Sequence, residues 1–229
     1  MTRRRVANPL ALAVLSCLLE RPMHPYEIST TLRERGKEQS IKLNYGSLYS
    51  VVESLQRFGL IQARETSREG RRPERTVYAI TEEGEHEFTD WLTELLSTPV
   101  KEFTSLEAGL SLMPGLPPDD VAGLLESRAE KLRTEVNSLE SMHEGARAQG
   151  LPELFLIESI YRVRMLSAEL EFVTSLAHDI RSDTMPGTKA WRRIHELRAE
   201  GVSVETIFAD PVRYLGEEGR ALQPTEPPN

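Results

Sequence analysis

The 229-residue sequence has a single cysteine, few aromatic residues (6%) and no apolar run as long as a membrane span. One cysteine cannot form an internal disulfide, which excludes a small secreted fold held together by disulfides. A bilayer-spanning helix needs ~20 consecutive apolar residues, and the run from Pro9 to Leu19 is shorter. We therefore expect a cytoplasmic protein without a membrane anchor.

Signatures of catalysis are also missing. The segment HELRAEG lacks the second histidine of a zinc-binding helix, and there is no glycine-rich phosphate loop. Cys17 has no nucleophile motif around it and is interpreted as a small buried apolar residue. The five histidines show no ligand spacing and are expected at the surface or at helix caps: His24, His86, His143, His178 and His195. We expect no enzyme activity, no metal and no cofactor.

Positive charge is scarce overall but concentrated at one end. The chain has a net charge of −8, yet residues 1–80 contain 14 Lys and Arg against 8 Asp and Glu, a net of +6. The remaining residues contain 14 basic against 28 acidic side chains, a net of −14. This asymmetry indicates that the N-terminal part meets a polyanion.

Three short helices are predicted in the first 60 residues. Asn8 caps a helix from Pro9 to Glu20, and Pro25 opens a second helix that ends at Gly36. A third helix is predicted from about 44 to 58. Each has one apolar side, so the three must pack against one another.

The first segment, MTRRRVANPLALAVLSCLLE, has a second interpretation. Three arginines, an apolar run and the sequence LSC are similar to a secretory signal with a lipoprotein cleavage site. Cleavage at Cys17 would destroy the first helix, and the cap at Asn8 favours a folded helix instead.

The pattern then changes to alternation. The segments LIQARET and RTVYAIT favour strands, and SREGRRPE between them is typical of a hairpin turn. Thr81 is expected to cap a helix with acidic residues in its first turn, ending before Pro99. Three helices followed by a hairpin predict a mainly α protein with an N-terminal winged helix-turn-helix and a two-stranded β wing, in residues 1–98.

The remainder is predicted to be helical, with a dimerisation domain at residues 99–185. Two long helices, about 119–148 and 152–181, have apolar residues at alternating spacings of 3 and 4, which is a coiled-coil seam. The seam could pair two helices of one chain, join two chains, or do both. The residues assigned to dimerisation are Leu125, Leu132, Val136, Leu139, Val163, Leu166, Leu170 and Val173. Residues 186–229 are predicted as an extension with short helices and a frayed tail.

The third helix has two different faces. Leu48, Val52 and Leu55 lie on one side, whereas small, hydroxylated and aromatic residues occupy the other side near its beginning. Such a slim front can enter the major groove of DNA, and basic residues at the hairpin tip can follow the phosphate backbone or enter the minor groove. Tyr45, Ser47 and Tyr49 could also be ordinary surface residues, and the arginine-rich turn a solvated one.

Three segments resemble the N-terminal domain of the PadR family of bacterial transcriptional regulators: NPLALAVLSCLLERPMHPYEI, KLNYGSLYSVVESLQRFGLI and GRRPERTVYAITEEGEHEF. The resemblance covers residues 8 to about 95. It implies a homodimeric repressor that binds an inverted-repeat operator and releases it when a small molecule binds. The DNA-binding positions assigned on this basis and on the helix and wing pattern are Tyr26, Lys42, Asn44, Tyr45, Ser47, Tyr49, Arg71 and Arg72.

Two alternatives remain open from the residues. A winged helix can serve as a protein-interaction scaffold that binds no DNA, although the arginines of the turn and the slim helix front argue against it. Trp91 and Trp191 could stack on a flat ligand, but packing in a core or interface is the favoured interpretation.

Overall fold

The computed structural model describes residues 8–41, 44–67 and 75–222. The chain divides into two compact units, residues 1–101 and 102–229. The predicted winged domain, residues 1–98, lies within the first unit. The second contains both the predicted dimerisation helices and the segment after residue 185, which the sequence predicts to be a separate extension.

The first unit begins with three helices, α1 (Pro9–Glu20), α2 (Pro25–Glu34) and α3 (Tyr45–Arg57). The side-chain oxygen of Asn8 accepts a hydrogen bond from the Leu10 amide at 3.0 Å, as the predicted cap requires. Gly36 follows α2 with φ at +67°, a left-handed conformation that glycine adopts without steric cost. The predicted positions of all three helices are confirmed.

The core of the first unit is built mainly on α1. Leu10, Val14 and Leu15 are completely buried, together with Ile28 of α2 and Leu55 of α3. Cys17 is buried in the same core, and this burial raises the pKa of its thiol, so the residue acts as a small apolar side chain. The apolar N-terminal run is therefore a core helix.

The wing is an antiparallel pair of strands, β1 (Ile61–Ser67) and β2 (Arg75–Ile80). A bulge at Arg64 interrupts the register between the pairs Ala63–Tyr78 and Glu65–Val77. Met23, in the turn between α1 and α2, exchanges two backbone hydrogen bonds of 3.0 Å with Tyr78. The base of the wing is thus fixed to the helices.

Helix α4 (Glu82–Ser97) starts directly after the wing. The Thr81 hydroxyl accepts a hydrogen bond from the Gly84 amide at 3.1 Å and donates one to the Gly59 carbonyl at 2.7 Å. A Cβ atom at Gly84 would lie 2.1 Å from the carbonyl oxygen of Leu60. The Ile-Thr-x-x-Gly sequence therefore connects the wing to a helix that packs too closely for any side chain at residue 84.

The second unit contains α5 (Ser105–Leu112), α6 (Pro118–Ala148), α7 (Ile157–Arg181), α8 (Thr188–Ala199), α9 (Val204–Ala209) and α10 (Pro211–Leu215), with 3₁₀ turns at 113–115, 153–156 and 216–222. Helices α6 and α7 form an antiparallel hairpin, because Glu126 pairs with Arg181 and Glu135 pairs with Arg162. The helical prediction is confirmed for the two long helices.

The seam residues pack within this hairpin. Leu125, Leu132, Val136 and Val173 are at most 7% exposed in a single chain, and the other four assigned residues are partly buried: Leu139, Val163, Leu166 and Leu170. The heptad pattern is thus accounted for by contacts between α6 and α7 of one chain. Participation of these residues in a dimer stays a prediction.

A different face of α7 exposes apolar side chains. Ile157, Tyr161, Met165 and Phe172 are 59%, 66%, 52% and 51% exposed. At 100° per residue they form one stripe, centred about 115° around the helix from Val173. We refer to these four residues as the α7 stripe.

Helix α8 packs on the hairpin through Trp191, which is 8% exposed and shares a core with Val121 and Ala177. Its indole Nε1 donates a hydrogen bond of 2.9 Å to the Leu116 carbonyl. Trp91 is likewise buried in the core of the first unit. Both tryptophans therefore have the packing role favoured from the sequence.

Candidate nucleic-acid interface

Helix α3 has a buried back and an open front. Leu48, Val51, Val52 and Leu55 are at most 6% exposed. On the front, Gly46, Ser47, Tyr49 and Ser50 are exposed, and 46% of the Tyr49 side chain is accessible. The two faces have the composition predicted from the sequence.

The beginning of α3 is held by Asn44. Its side-chain oxygen accepts a hydrogen bond from the Gly46 amide at 2.9 Å, so it satisfies one of the free amides of the first turn. The assigned DNA-binding residue Asn44 thus has a structural role, and its side-chain NH₂ group remains the part that could donate to a ligand. The Ser50 hydroxyl donates to the Gly46 carbonyl at 3.1 Å.

Tyr26 lies in the first turn of α2 and is 61% exposed. The turn is fixed by His24, whose Nδ1 accepts from the Tyr26 amide at 3.1 Å, and by Glu27, whose carboxylate accepts from the His24 amide at 2.8 Å. His24 is thus a helix cap, as expected. This arrangement presents the Tyr26 ring at a rigid helix N-terminus, where anions are favoured.

Several basic residues of the first unit are neutralised by nearby carboxylates. Arg35 pairs with Glu20, and a hydrogen bond from the guanidinium lowers the pKa of the Glu20 carboxyl. Arg21 lies 3.5 Å from Glu27, and Arg33 lies 3.6 Å from Glu38. These arginines stabilise α1 and α2 locally, so the charge available to a polyanion must come from other positions.

Arg64 is such a position, and it is not among the DNA-binding residues predicted from the sequence. It is the extra residue of the β1 bulge, is exposed, and has no ion pair with the part of the chain that the structure describes. A bulge re-aims the side chain it carries. In the sequence, Arg64 is only a basic residue within a segment whose alternating pattern predicts a strand, and nothing there indicates a bulge.

Three assigned residues, Lys42, Arg71 and Arg72, lie outside the described residues, and so does the side chain of Tyr45. The description of the interface therefore rests on Tyr26, Asn44, Ser47 and Tyr49. These four lie at or near the N-termini of α2 and α3, which both pack on the core of the first unit.

In the residues described, no group of three or more His, Cys, Asp or Glu is placed to hold a metal ion. The same residues include no helix with both the length and the apolar character required to cross a bilayer.

The first unit has the element order, wing and exposed third helix that define a winged helix-turn-helix domain. Residues 14–90 match the model of the transcriptional regulator PadR-like family. This match lies within the winged domain, whose motifs predict the same family. Comparison with curated protein sequences finds no match.

Solved structures share the fold. PadR of Bacillus subtilis in complex with operator DNA has 20% identity and a TM-score of 0.56, with 75% of this chain and 99% of that chain covered. The complex of the same protein with p-coumaric acid has 18% identity and a TM-score of 0.56, with 74% of this chain and 98% of that chain covered. The virulence activator AphA of Vibrio cholerae has 14% identity and a TM-score of 0.55, with 76% of this chain and 98% of that chain covered.

Proposed function

We propose that the chain is a cytoplasmic, DNA-binding transcriptional repressor that binds an inverted-repeat operator as a homodimer. The observation that carries this proposal is the front of α3, where Ser47, Tyr49 and Ser50 are exposed above a buried apolar back. A helix with this cross-section can enter the major groove, which is about 12 Å wide, and offer hydroxyl groups to base edges.

Phosphate contacts would position the helix on the duplex. Tyr26 is exposed at the N-terminus of α2, and α3 begins with free amides beside Asn44. Helix N-termini and tyrosine hydroxyls commonly bind phosphate oxygens. Lys42, Arg71 and Arg72 would add charge from the segment before α3 and from the tip of the wing, and Arg64 from the bulge.

An inverted repeat requires two copies of the domain, so dimerisation is part of the proposal. The α7 stripe supports it, since four large apolar side chains are at least half exposed on one face of a long helix. Pairing two such stripes would remove them from water in a two-fold arrangement. In an operator complex the two α3 helices would lie about 34 Å apart, one turn of DNA.

Regulation by a small molecule completes the proposal, as the family resemblance implies. The B. subtilis relative has been crystallised with p-coumaric acid. For this chain we propose an effector that lowers the affinity for the operator, without a catalytic step or a metal.

The groove assignment is tested with Tyr49→Ala and Tyr49→Phe on DNA from upstream of the chain's own gene. We expect Tyr49→Ala to lose about 1–3 kcal/mol of discrimination between operator and unrelated DNA. The matched control is Gln56→Ala, on the same face of α3 but seven residues, about 10 Å, further along the helix. Competition footprints of the four proteins provide the measurement. Equal footprints for Tyr49→Ala and Gln56→Ala would remove α3 from the groove.

The wing assignment is tested with Arg71→Ala combined with Arg72→Ala. This variant should bind all sequences more weakly, and the slope of log affinity against log salt should fall by about 1 to 2. Arg21→Ala is the control, because that arginine already pairs with Glu27. If the intact protein showed no sequence preference at any salt concentration, the scaffold alternative would be correct.

A further inference from the structure

A cavity of about 510 Å³ lies in the second unit, between α8, α9 and the two 3₁₀ turns at 113–115 and 216–222. Its volume is within the range of small-molecule sites, roughly 300–1,000 Å³. The wall is mainly apolar and includes aromatic, methionine and branched side chains: Met113, Met185, Trp191, Ile194, Val204 and Phe208. Such a wall suits an apolar ligand, and methionines adapt to its shape.

Hydrogen bonds fix the wall on two sides of the cavity. The His195 ring donates from Nε2 to the Pro114 carbonyl at 2.9 Å, and the Trp191 indole donates to the Leu116 carbonyl. Opposite, the Glu218 carboxylate accepts from the Ala190 amide at 2.6 Å and so caps the first turn of α8. The cavity is therefore formed before any ligand enters, which reduces the entropy cost of binding.

Two charged residues line the cavity, Arg198 and Glu218. The Glu218 carboxylate is already used by the α8 amide. By contrast, the Arg198 guanidinium has neither an ion pair nor a hydrogen bond with residues in the described ranges. Neighbouring Arg193 is different, because it pairs with Glu196 and Glu200 on the surface of α8. Arg198 is thus the cavity residue whose charge is available to a ligand.

We infer that this cavity is a binding site for an apolar organic anion, whose body contacts the Trp191 and Phe208 side of the wall and whose carboxylate or sulfonate pairs with Arg198. The role of this ligand as the effector rests on the proposed function. The binding site itself does not, since it lies wholly within the second unit.

The probe is 1-anilinonaphthalene-8-sulfonate, an apolar anion whose fluorescence rises in an apolar site, compared with the uncharged N-phenyl-1-naphthylamine. We expect the anion to bind the intact protein with one site per chain and to quench Trp191 by energy transfer. Arg198→Gln should weaken the anion about tenfold and leave the uncharged dye unchanged. Arg193→Gln is the matched control on the same helix and should change neither.

A second pair of variants tests the location. Ala221 lines the cavity and is exposed, so Ala221→Phe should fill the cavity and abolish binding of both dyes. Ala199 is also exposed but does not line the cavity, so Ala199→Phe should leave the binding of both dyes unchanged. Unchanged thermal unfolding of both variants would show that they fold. Binding that persists in Ala221→Phe would place the dye elsewhere and overturn the site, and equal anion binding by Arg198→Gln and Arg193→Gln would overturn the role of Arg198.

The effector role is measured separately, by titrating operator DNA with and without saturating dye. Weaker operator binding that Ala221→Phe no longer shows would support the effector role. Dye binding at the site with unchanged operator affinity would overturn that role. A protein that binds the dye as described but no DNA would refute the proposed function and still support the site.

Discussion

At residue scale, the junction between the wing and α4 depends on Gly84. Its backbone approaches Leu60 so closely that a Cβ atom would lie 2.1 Å from the Leu60 carbonyl oxygen. Its backbone φ is not in the left-handed region, so the requirement for glycine is one of space. The contact partner is backbone, which cannot rotate away as a side chain would.

We expect Gly84→Ala to destabilise the first unit by about 1–3 kcal/mol, because either α4 or the backbone at Leu60, directly before β1, must shift. Trp91 in this unit reports the transition by fluorescence when Trp191 is replaced by Phe. Gly46→Ala is the control: its Cβ would lie at an ordinary 3.6 Å from the Asn44 oxygen, and alanine favours a helix by up to about 1 kcal/mol. Equal unfolding midpoints for the two variants would contradict the close contact.

The Glu20–Arg35 pair predicts a small dependence of stability on pH. The pKa of Glu20 is lowered in the folded protein from an ordinary value of 4.5, chiefly by the hydrogen bond from Arg35. The contribution of Glu20 to the free energy of unfolding is therefore present above pH 4.5 and is lost as the pH falls through the lowered pKa. Both side chains are nearly half exposed, so the contribution is at most about 1 kcal/mol.

Glu20→Gln should accordingly lower the unfolding midpoint at neutral pH, and the difference from the unmodified protein should shrink as the pH falls below 4.5. Thermal unfolding followed by circular dichroism at several pH values measures this. Glu53→Gln, an exposed glutamate of α3, serves as control. A difference that stayed constant from neutral to acid pH would show that the pair contributes nothing through its charge.

At the scale of elements, α7 uses two different faces for two purposes. Val173 and Ala177 bury one face against α6, and the α7 stripe leaves the other face apolar and exposed. A heptad pattern alone predicts the first face and says nothing about the second, because a hairpin within one chain already satisfies the seam residues. The proposed dimer therefore depends on residues that the seam does not contain.

Met165→Glu, in the middle of the α7 stripe, is expected to weaken the dimer by at least about tenfold, since it places a charge in an apolar interface. Thr174→Glu, exposed on another side of α7, should leave the assembly unchanged. Sedimentation velocity over a range of protein concentrations gives the mass of each variant. A dimer of unchanged affinity in Met165→Glu would exclude the stripe from the interface.

At the scale of the whole molecule, charge is divided along the chain. The first 80 residues have a net charge of +6, and the remainder has −14. A polyanion is attracted to the first part and repelled by the second, which favours binding through the winged domain despite the overall charge of −8. Because several arginines of this domain already pair with glutamates, unpaired positions such as Arg64 should contribute most.

If a dimer makes about six phosphate contacts, its affinity for DNA should fall about 10³-fold between roughly 50 and 200 mM salt. Arg64→Ala should lower the salt slope, whereas Arg35→Ala should not, since Arg35 is held by Glu20. Fluorescence anisotropy of a labelled duplex measures both slopes. Identical slopes for the two variants would place Arg64 away from the DNA.

Helices α1 to α4 and the wing strands were predictable because their signals are local: Asn8 and Thr81 cap helices, Gly36 ends one, and alternation marks the strands. The slim front of α3 followed from its periodicity. Arg64 was missed because a bulge is a property of the pairing between strands. The segment at 211–222 was missed because its short turns have no long periodic pattern.

The sequence by itself determined the elements, their caps, the two faces of α3 and the family of the winged domain, since these depend on neighbours within a few turns of the chain. Only the tertiary structure decided that the seam of α6 and α7 closes within one chain, that a different face of α7 stays apolar and open, and that α8 and its neighbours enclose a cavity beside Arg198. These features depend on contacts between residues as many as 81 positions apart, such as His195 and Pro114, whose meeting no local pattern encodes.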